Sequence, residues 1–159
     1  MVDNDVWENP SAISSPLLEK LKIQVLQAQA NQSVARMPVE GNTQIAGLLH
    51  GGATAALAET VASVAASVHA ANLQNTPRPD GQADRATRDE HEPRQNPHLV
   101  AVGTELSISH LVAARAGMVT ATATAEHLGR RRTVHTVEVR NEEGRLLAVA
   151  QATNMIIEA

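Results

Sequence analysis

The apolar positions along this chain change their spacing three times, and each spacing predicts a different element. "SPLLEKL" (Ser15–Leu21) carries a helix start, with a Ser cap, a Pro in the first turn and Glu19 close behind. From Lys22 the pattern loosens into alternation, through Ile23 and Val25 and then Ala35, Met37 and Val39. Asn31-Gln32-Ser33 between them predicts the turn of a β-hairpin. "EGNTQIAG" follows as a loop leading to His50-Gly51-Gly52. From Gly51 to Ala71 the residues are Ala, Val, Leu and small hydroxyls on nearly every side, with no proline and no glycine after Gly52. Alanine has the highest helix propensity, and a helix apolar all round is one enclosed by other elements.

The last third returns to alternation. Leu99–Leu111 alternates through Val100 and Val102 and, after a phase shift, Leu106 and Ile108. Ala116–Leu128 is rich in Thr and Val. Arg131–Arg140 alternates strictly, with Val134, Thr136, Glu138 and Arg140 on one face, and "NEEG" (Asn141–Gly144) turns into Arg145–Ile157. A hairpin, one long helix and about four strands predict an α+β domain, a curved antiparallel sheet wrapped around a central helix. Residues 1–16 read as a mobile lead-in and 17–159 as a single domain. The polar run at about 72–98, "NLQNTPRPDGQADRATRDEHEPRQNPH", reads as an exposed, disordered insertion.

Composition narrows the function. The 159 residues suit one domain that buries roughly two-thirds of its unfolded surface. There is no cysteine, which excludes disulfides, Cys-based zinc sites and thiol catalysis. Trp7 is the only aromatic among Phe, Trp and Tyr, so base-stacking platforms are missing. A formal charge of −4 also disfavours general nucleic-acid binding. The acidic, polar start is no secretory signal, and the alanine-dominated helix is weakly hydrophobic for a membrane span. The expectation is a soluble, cytoplasmic protein.

Against this background Glu59 stands out, a single carboxylate among Ala55, Ala56, Ala62 and Ser63, its neighbours at helical spacing. It is either a solvated surface acid or, in a partly dehydrated cavity, a base or nucleophile. His50-Gly51-Gly52 opens the same helix, whose first N–H groups lack intrahelical partners and lie at the positive end of the dipole. These N–H groups can stabilise an oxyanion. Gly51 and Glu59 are eight residues apart, ~12 Å along a helix, whereas both must approach one reacting centre within ~3.5 Å. One helix cannot supply both; two antiparallel copies can, so a dimer with composite sites is expected. Ser63, one turn beyond Glu59, either orients a water or the acid or simply packs. Gln44 either reaches a substrate carbonyl or orders its loop. Arg130-Arg131-Arg132, after Gly129, is either a solvated charge run or a phosphate-binding turn. His110, His127 and His135 lack metal-site spacing.

The blocks "GLLHGGATAALAETVASVAAS", "GTELSISHL" and "HLGRRRTVHTVEVRNEEGRLLAVAQATNMI" resemble the hotdog-fold acyl-CoA thioesterases of the phenylacetate-pathway and 4-hydroxybenzoyl-CoA thioesterase type. The resemblance spans roughly residues 17–72 and 99–157. It implies hydrolysis of a CoA thioester without metal or cofactor, coenzyme A being part of the substrate, by homodimers usually paired into homotetramers. It places the catalytic carboxylate on Glu59 and the carbonyl-polarising N–H on Gly51, beside His50. Gln44 matches the family's loop glutamine and Ser63 its hydroxyl residue after the acid. Gly52, His110, Gly129, Arg130, Arg131 and Arg132 fall where substrate and CoA bind. The segment 72–98 is longer than the family's usual connection, and an acyl pocket here would be lined by small aliphatics. A dehydratase using His50 with Glu59, or a non-catalytic acyl-CoA sensor, would use the same fold.

Overall fold

The computed structural model describes residues 7–76 and 98–159. Ser15 caps the first helix, α1 (Pro16–Leu21), by accepting a hydrogen bond from the Leu18 N–H. Lys22 then takes a left-handed conformation that turns the chain into β1 (Gln24–Gln27). The remaining elements are β2 (Gln32–Pro38), α2 (Gly51–Asn75), β3 (Leu99–His110), β4 (Met118–Leu128), β5 (Arg132–Asn141) and β6 (Leu146–Glu158). The strands form one antiparallel sheet in the order β1-β2-β4-β5-β6-β3. β3 therefore leaves its chain neighbour β4 and forms the far edge, beside β6.

The helix α2 packs across this sheet, against β2, β3, β4, β5 and β6, as the resemblance implies. Strand alternation supplies the inner face: Ala35 and Met37 from β2, Val119, Ala121 and Ala123 from β4, Val137 and Val139 from β5, Ala148, Ala150 and Ala152 from β6. They meet Leu57, Ala58, Val61 and Ala62 of α2. With no aromatic in this core, alanine facing alanine lets helix and sheet approach closely, and the leucine, valine and methionine side chains fill the remaining space at interior density. By length and composition alone α2 could cross a membrane, but eleven of its residues are buried inside the protein. It is the core helix.

Four details differ from the alternation pattern or refine it. The hairpin turn lies at 28–31 rather than at Asn31–Ser33, because Ser33 belongs to β2 and braces the turn from within the strand. Its hydroxyl donates to the Gln29 carbonyl (2.9 Å) and accepts from the Gln29 N–H (3.1 Å). The helix runs on to Asn75, so residues 72–75 of the polar run are helical. Leu73 continues the half-buried face, and Thr76, which precedes Pro77, takes an extended backbone and ends it. The rest of that run, 77–97, lies outside the described residues, as do residues 1–6 of the lead-in. Residues 10–12 form a short 3-10 helix, and Trp7 and Ile13 pack against the core. The phase shift in Leu99–Leu111 is a β-bulge between Gly103 and Glu105. It turns Leu106 and Ile108 to the core and leaves Val102 on the outer face, 39% exposed beside Met155.

His135, on the inner face of β5, is fully buried; its Nε2 lies 3.1 Å from the Ala30 carbonyl, and its Nδ1 has no partner among the described residues. Burial pushes its pKa below the ordinary value of 6.5; the Ala30 bond opposes this and nearby His69 adds to it. The folded protein therefore holds His135 neutral while the unfolded chain takes up a proton as pH falls below about 6.5. Stability is accordingly lost as pH falls from there toward the lower folded value, and is fully present above. Urea unfolding at fixed protein concentration is expected to show this loss between about pH 7.5 and 5.5, and a smaller one in His135→Gln. Equal slopes in the two proteins would contradict it.

Candidate functional site

The loop before α2 is built to deliver His50. Buried Asn42 donates to the carbonyls of Leu21 (2.8 Å) and Pro38 (2.9 Å), while its own carbonyl accepts the His50 N–H. Gln44 closes the intervening turn, its Oε1 accepting the Ala46 N–H at 2.8 Å. The turn then passes through Gly47 at φ 70, a conformation that favours glycine. His50 caps the helix, its Nδ1 accepting the Gly52 N–H at 2.8 Å. The Gly51 N–H takes no acceptor among the described residues. The His110 ring, at the end of β3, lies against Gly51: a Cβ there would stand 3.1 Å from His110 Nε2. His50, Gly51, Gly52 and His110 thus form one cluster at the positive end of a 25-residue helix.

Two turns along α2, Glu59 lies exposed on the stripe that the sheet leaves open. Its carboxylate rests on the backbone of β3 at Gly103, where a Cβ would stand 3.1 Å from Oε1. The β-bulge makes this approach possible, and Thr104 Oγ1 pins it by donating to the Thr153 carbonyl at 3.1 Å. Glu59, Ser63, Gly103, Leu106, Ala152 and Asn154 line a cavity of about 250 Å³, open on one side. Behind the acid, Asn154 of β6 is 1% exposed and donates from Nδ2 to Ser63 Oγ at 3.2 Å. Among the described residues its Oδ1 has no partner, and neither has Oγ1 of Thr133, directly opposite in register on β5. Each such buried orphan costs about 1–3 kcal/mol.

The arginine turn sits elsewhere. The Gly129 N–H donates to the Arg132 carbonyl (2.9 Å), and the Gly129 carbonyl meets His69 Nε2 at 3.0 Å. His69 is ten residues beyond Glu59, ~15 Å along the helix. Arg130, Arg131 and Arg132 are exposed. Of the residues singled out by sequence, one chain therefore brings together His50, Gly51, Gly52 and His110 at one place and Glu59 with Ser63 at a second. Gly129 and the arginines form a third place, and Gln44 supports the first. Sequence reading missed Gly103 and Asn154. Both carried a signal: a glycine inside a strand marks a bulge or a close approach, and Asn154 interrupts the inward series Ala148, Ala150, Ala152, Ile156. Among the described residues no cluster of His, Asp and Glu is placed to hold a metal ion.

The profile of the thioesterase superfamily matches residues 46–148. ComA2 of Bacillus subtilis, provisionally named an esterase, is 35% identical over 143 residues, covering 89% of this chain and 94% of that protein. The 1,4-dihydroxy-2-naphthoyl-CoA hydrolase of Escherichia coli is 33% identical, over 77% of this chain and 73% of its own. Among solved structures, a thioesterase from Haemophilus influenzae superimposes with a TM-score of 0.72 at 30% identity, covering 96% of this chain and 90% of that one. A thioesterase from Staphylococcus aureus is represented by two alanine variants, both 28% identical to this chain, with TM-scores of 0.68 and 0.69. They cover 89% and 90% of this chain and 98% and 99% of theirs. One replaces a glutamine, the other a glutamate fifteen positions further on.

Proposed function

The chain belongs to the thioesterase superfamily and hydrolyses an acyl-CoA thioester; on that premise we propose that Glu59 drives the reaction and that the Gly51 N–H of a second copy holds the carbonyl. The observation that carries this reading is the Glu59 carboxylate set on Gly103 over a cavity, with a hydroxyl and an amide behind it. Gln44 and Glu59 stand at the same fifteen-residue spacing as the two positions altered in the Staphylococcus enzyme.

In the reaction Glu59 takes a proton from water, or itself adds to the carbonyl carbon. Negative charge then develops on the carbonyl oxygen, where an uncommitted N–H at a helix terminus stabilises it. On the first route the C–S bond breaks as Glu59 passes the proton taken from water to the departing thiolate, giving acid and CoA thiol. On the second it breaks to leave an acyl-Glu59 anhydride. Water hydrolyses this to the acid and the regenerated carboxylate, the water proton going to the CoA thiolate. Because Gly51 lies ~12 Å from Glu59 on a continuous helix, the two act together only across a dimer. β3 supplies a surface for that dimer, a twelve-residue edge strand paired on one side only among the described residues. The exposed guanidinium groups of the 130–132 turn suit the phosphates of CoA. Val102, Met155 and Ile157, each about 40% exposed on the outer sheet face, give dimers a face on which to pair into tetramers. We read the enzyme as cytoplasmic, because CoA thioesters are highly charged and do not cross membranes unaided.

The test is free-thiol release from a panel of CoA esters: hydroxybenzoyl, phenylacetyl, dihydroxynaphthoyl and straight-chain. Turnover of at least one ester, with CoA and free acid formed in equal amounts, is expected. Tight binding of the esters with no turnover of any would overturn the reading in favour of a sensor. Addition or loss of water across the acyl chain without thiol release would favour a dehydratase.

A further inference from the structure

We propose that Asn154 is a positioning residue for this hydrolysis: its buried amide holds the Ser63 hydroxyl and directs it into the Glu59 cavity. The inference rests on the reading above that Glu59 works in that cavity. Asn154 sits on β6 directly between Gly103 of β3 and Thr133 of β5 in the register of the sheet. It thus lies beneath the spot where the Glu59 carboxylate meets the strand, its Nδ2 3.8 Å from the place of a Gly103 Cβ. It is 1% exposed, and among the described residues its side chain makes the 3.2 Å hydrogen bond to Ser63 Oγ.

A serine hydroxyl has one proton to give and two lone pairs to receive with. In the middle of a helix it ordinarily turns its proton back to the carbonyl four residues earlier, which here is that of Glu59. The Asn154 N–H occupies a lone pair from the sheet side and so turns the proton away from the sheet. The open direction is the cavity, where the Glu59 side chain lies one turn before Ser63. Ser63 then donates into the cavity, to the water that Glu59 activates.

The amide is an expensive residue at this position. Its neighbours in the inward series, Ala152 and Ile156, are apolar. Asn154 Oδ1 and Thr133 Oγ1, on register-paired residues of adjacent strands, each lack a hydrogen-bond partner among the described residues. A leucine, with the same branched shape though a larger volume, would remove one orphan. An internal amide kept at the cost of stability, beside a cavity that holds the acid, follows the pattern of functional sites that break local rules.

Asn154→Leu is expected to lower kcat about tenfold or more, the kinetic equivalent of one lost hydrogen bond. KM for the ester should stay within about threefold, with the melting temperature read in parallel to confirm the fold. Ser63→Ala should cost a similar factor, and the double variant no more than either single one, because Asn154 acts through Ser63. Wild-type kcat in Asn154→Leu, or a double variant that loses the product of the two factors, would overturn the proposal. Should the leucine variant fail to fold, Asn154→Asp decides. A protonated carboxyl can donate to Ser63 and an ionised one cannot, so its kcat relative to wild type should fall from about pH 5 to pH 8; a flat ratio overturns the proposal. Glu59→Gln run in parallel separates the two claims. If it retains the wild-type rate, the site itself is misplaced; if it is inactive while the Asn154 variants are unaffected, only the present inference fails.

Discussion

Glu59→Gln is expected to lower kcat by about a hundred- to ten-thousandfold, the range contributed by a positioned general base, and to leave the fold intact. Glutamine keeps the size and the hydrogen-bonding capacity of the side chain but can neither take a proton nor add to a carbonyl. The structure gives the acid no other task. Glu59 is exposed on α2 and is bound into no ion pair or hydrogen bond among the described residues. Gly103, against which its carboxylate rests, has no side chain to lose contact with. Steady-state thiol release gives kcat, and calorimetric titration with a non-hydrolysable CoA ester gives binding. The expected pattern is a collapsed kcat, an affinity within a few-fold of wild type and an unchanged melting temperature. A rate within tenfold of wild type would remove Glu59 from the mechanism.

Gly51→Pro is expected to cost about a hundred- to a thousandfold in kcat, the loss seen when one oxyanion donor is removed. Proline deletes the N–H and little else, because Gly51 is the first residue of α2, the helical position that proline tolerates best. His50 already has φ −70 and ψ 131, the extended backbone that a residue before proline adopts. A Cβ at this position stands 3.1 Å from His110 Nε2, at the far end of a side chain that can shift. Gly51→Ala is the control, since it presents the same Cβ to His110 and keeps the N–H. Activity in the alanine variant within a few-fold of wild type, with loss in the proline variant, assigns the effect to the donor. Equal loss in both would assign it to crowding of His110.

The elements that were legible in sequence are those governed by local periodicity. The alanine-rich run from Gly51 is helical because nothing in it opposes a helix, and Glu59 is conspicuous because no other charge shares its stretch. The break in alternation at Gly103-Thr104 was visible, but a bulge that seats a carboxylate was not, since the acid comes from an element 44 residues earlier. Strand order was equally hidden. Nothing in the spacing of Leu99–Leu111 says that this strand passes its neighbour and pairs with β6, yet that pairing puts Asn154 beneath Gly103. Asn154 and Ser63 are 91 residues apart, and only the folded sheet joins them. Gln44 shows the reverse: its position was marked by sequence, but its contact with the Ala46 N–H emerged from the loop itself. The arginine turn was clear as a charge cluster, and its seat against His69 depends on how β4 and β5 meet the helix.

The claim that joins these observations is that each site takes Gly51 from one subunit and Glu59 from another. Mixing Gly51→Pro and Glu59→Gln subunits tests it most directly, because each variant alone is expected to be nearly inactive. After unfolding and refolding of an equimolar mixture, half the dimers carry one of each. In such a dimer one site inherits both defects and the other neither, so about a quarter of wild-type activity should return. Wild-type protein taken through the same cycle sets the yield. Recovery near that level confirms composite sites. A mixture no more active than its two components, with mixed dimers present, would contradict the account.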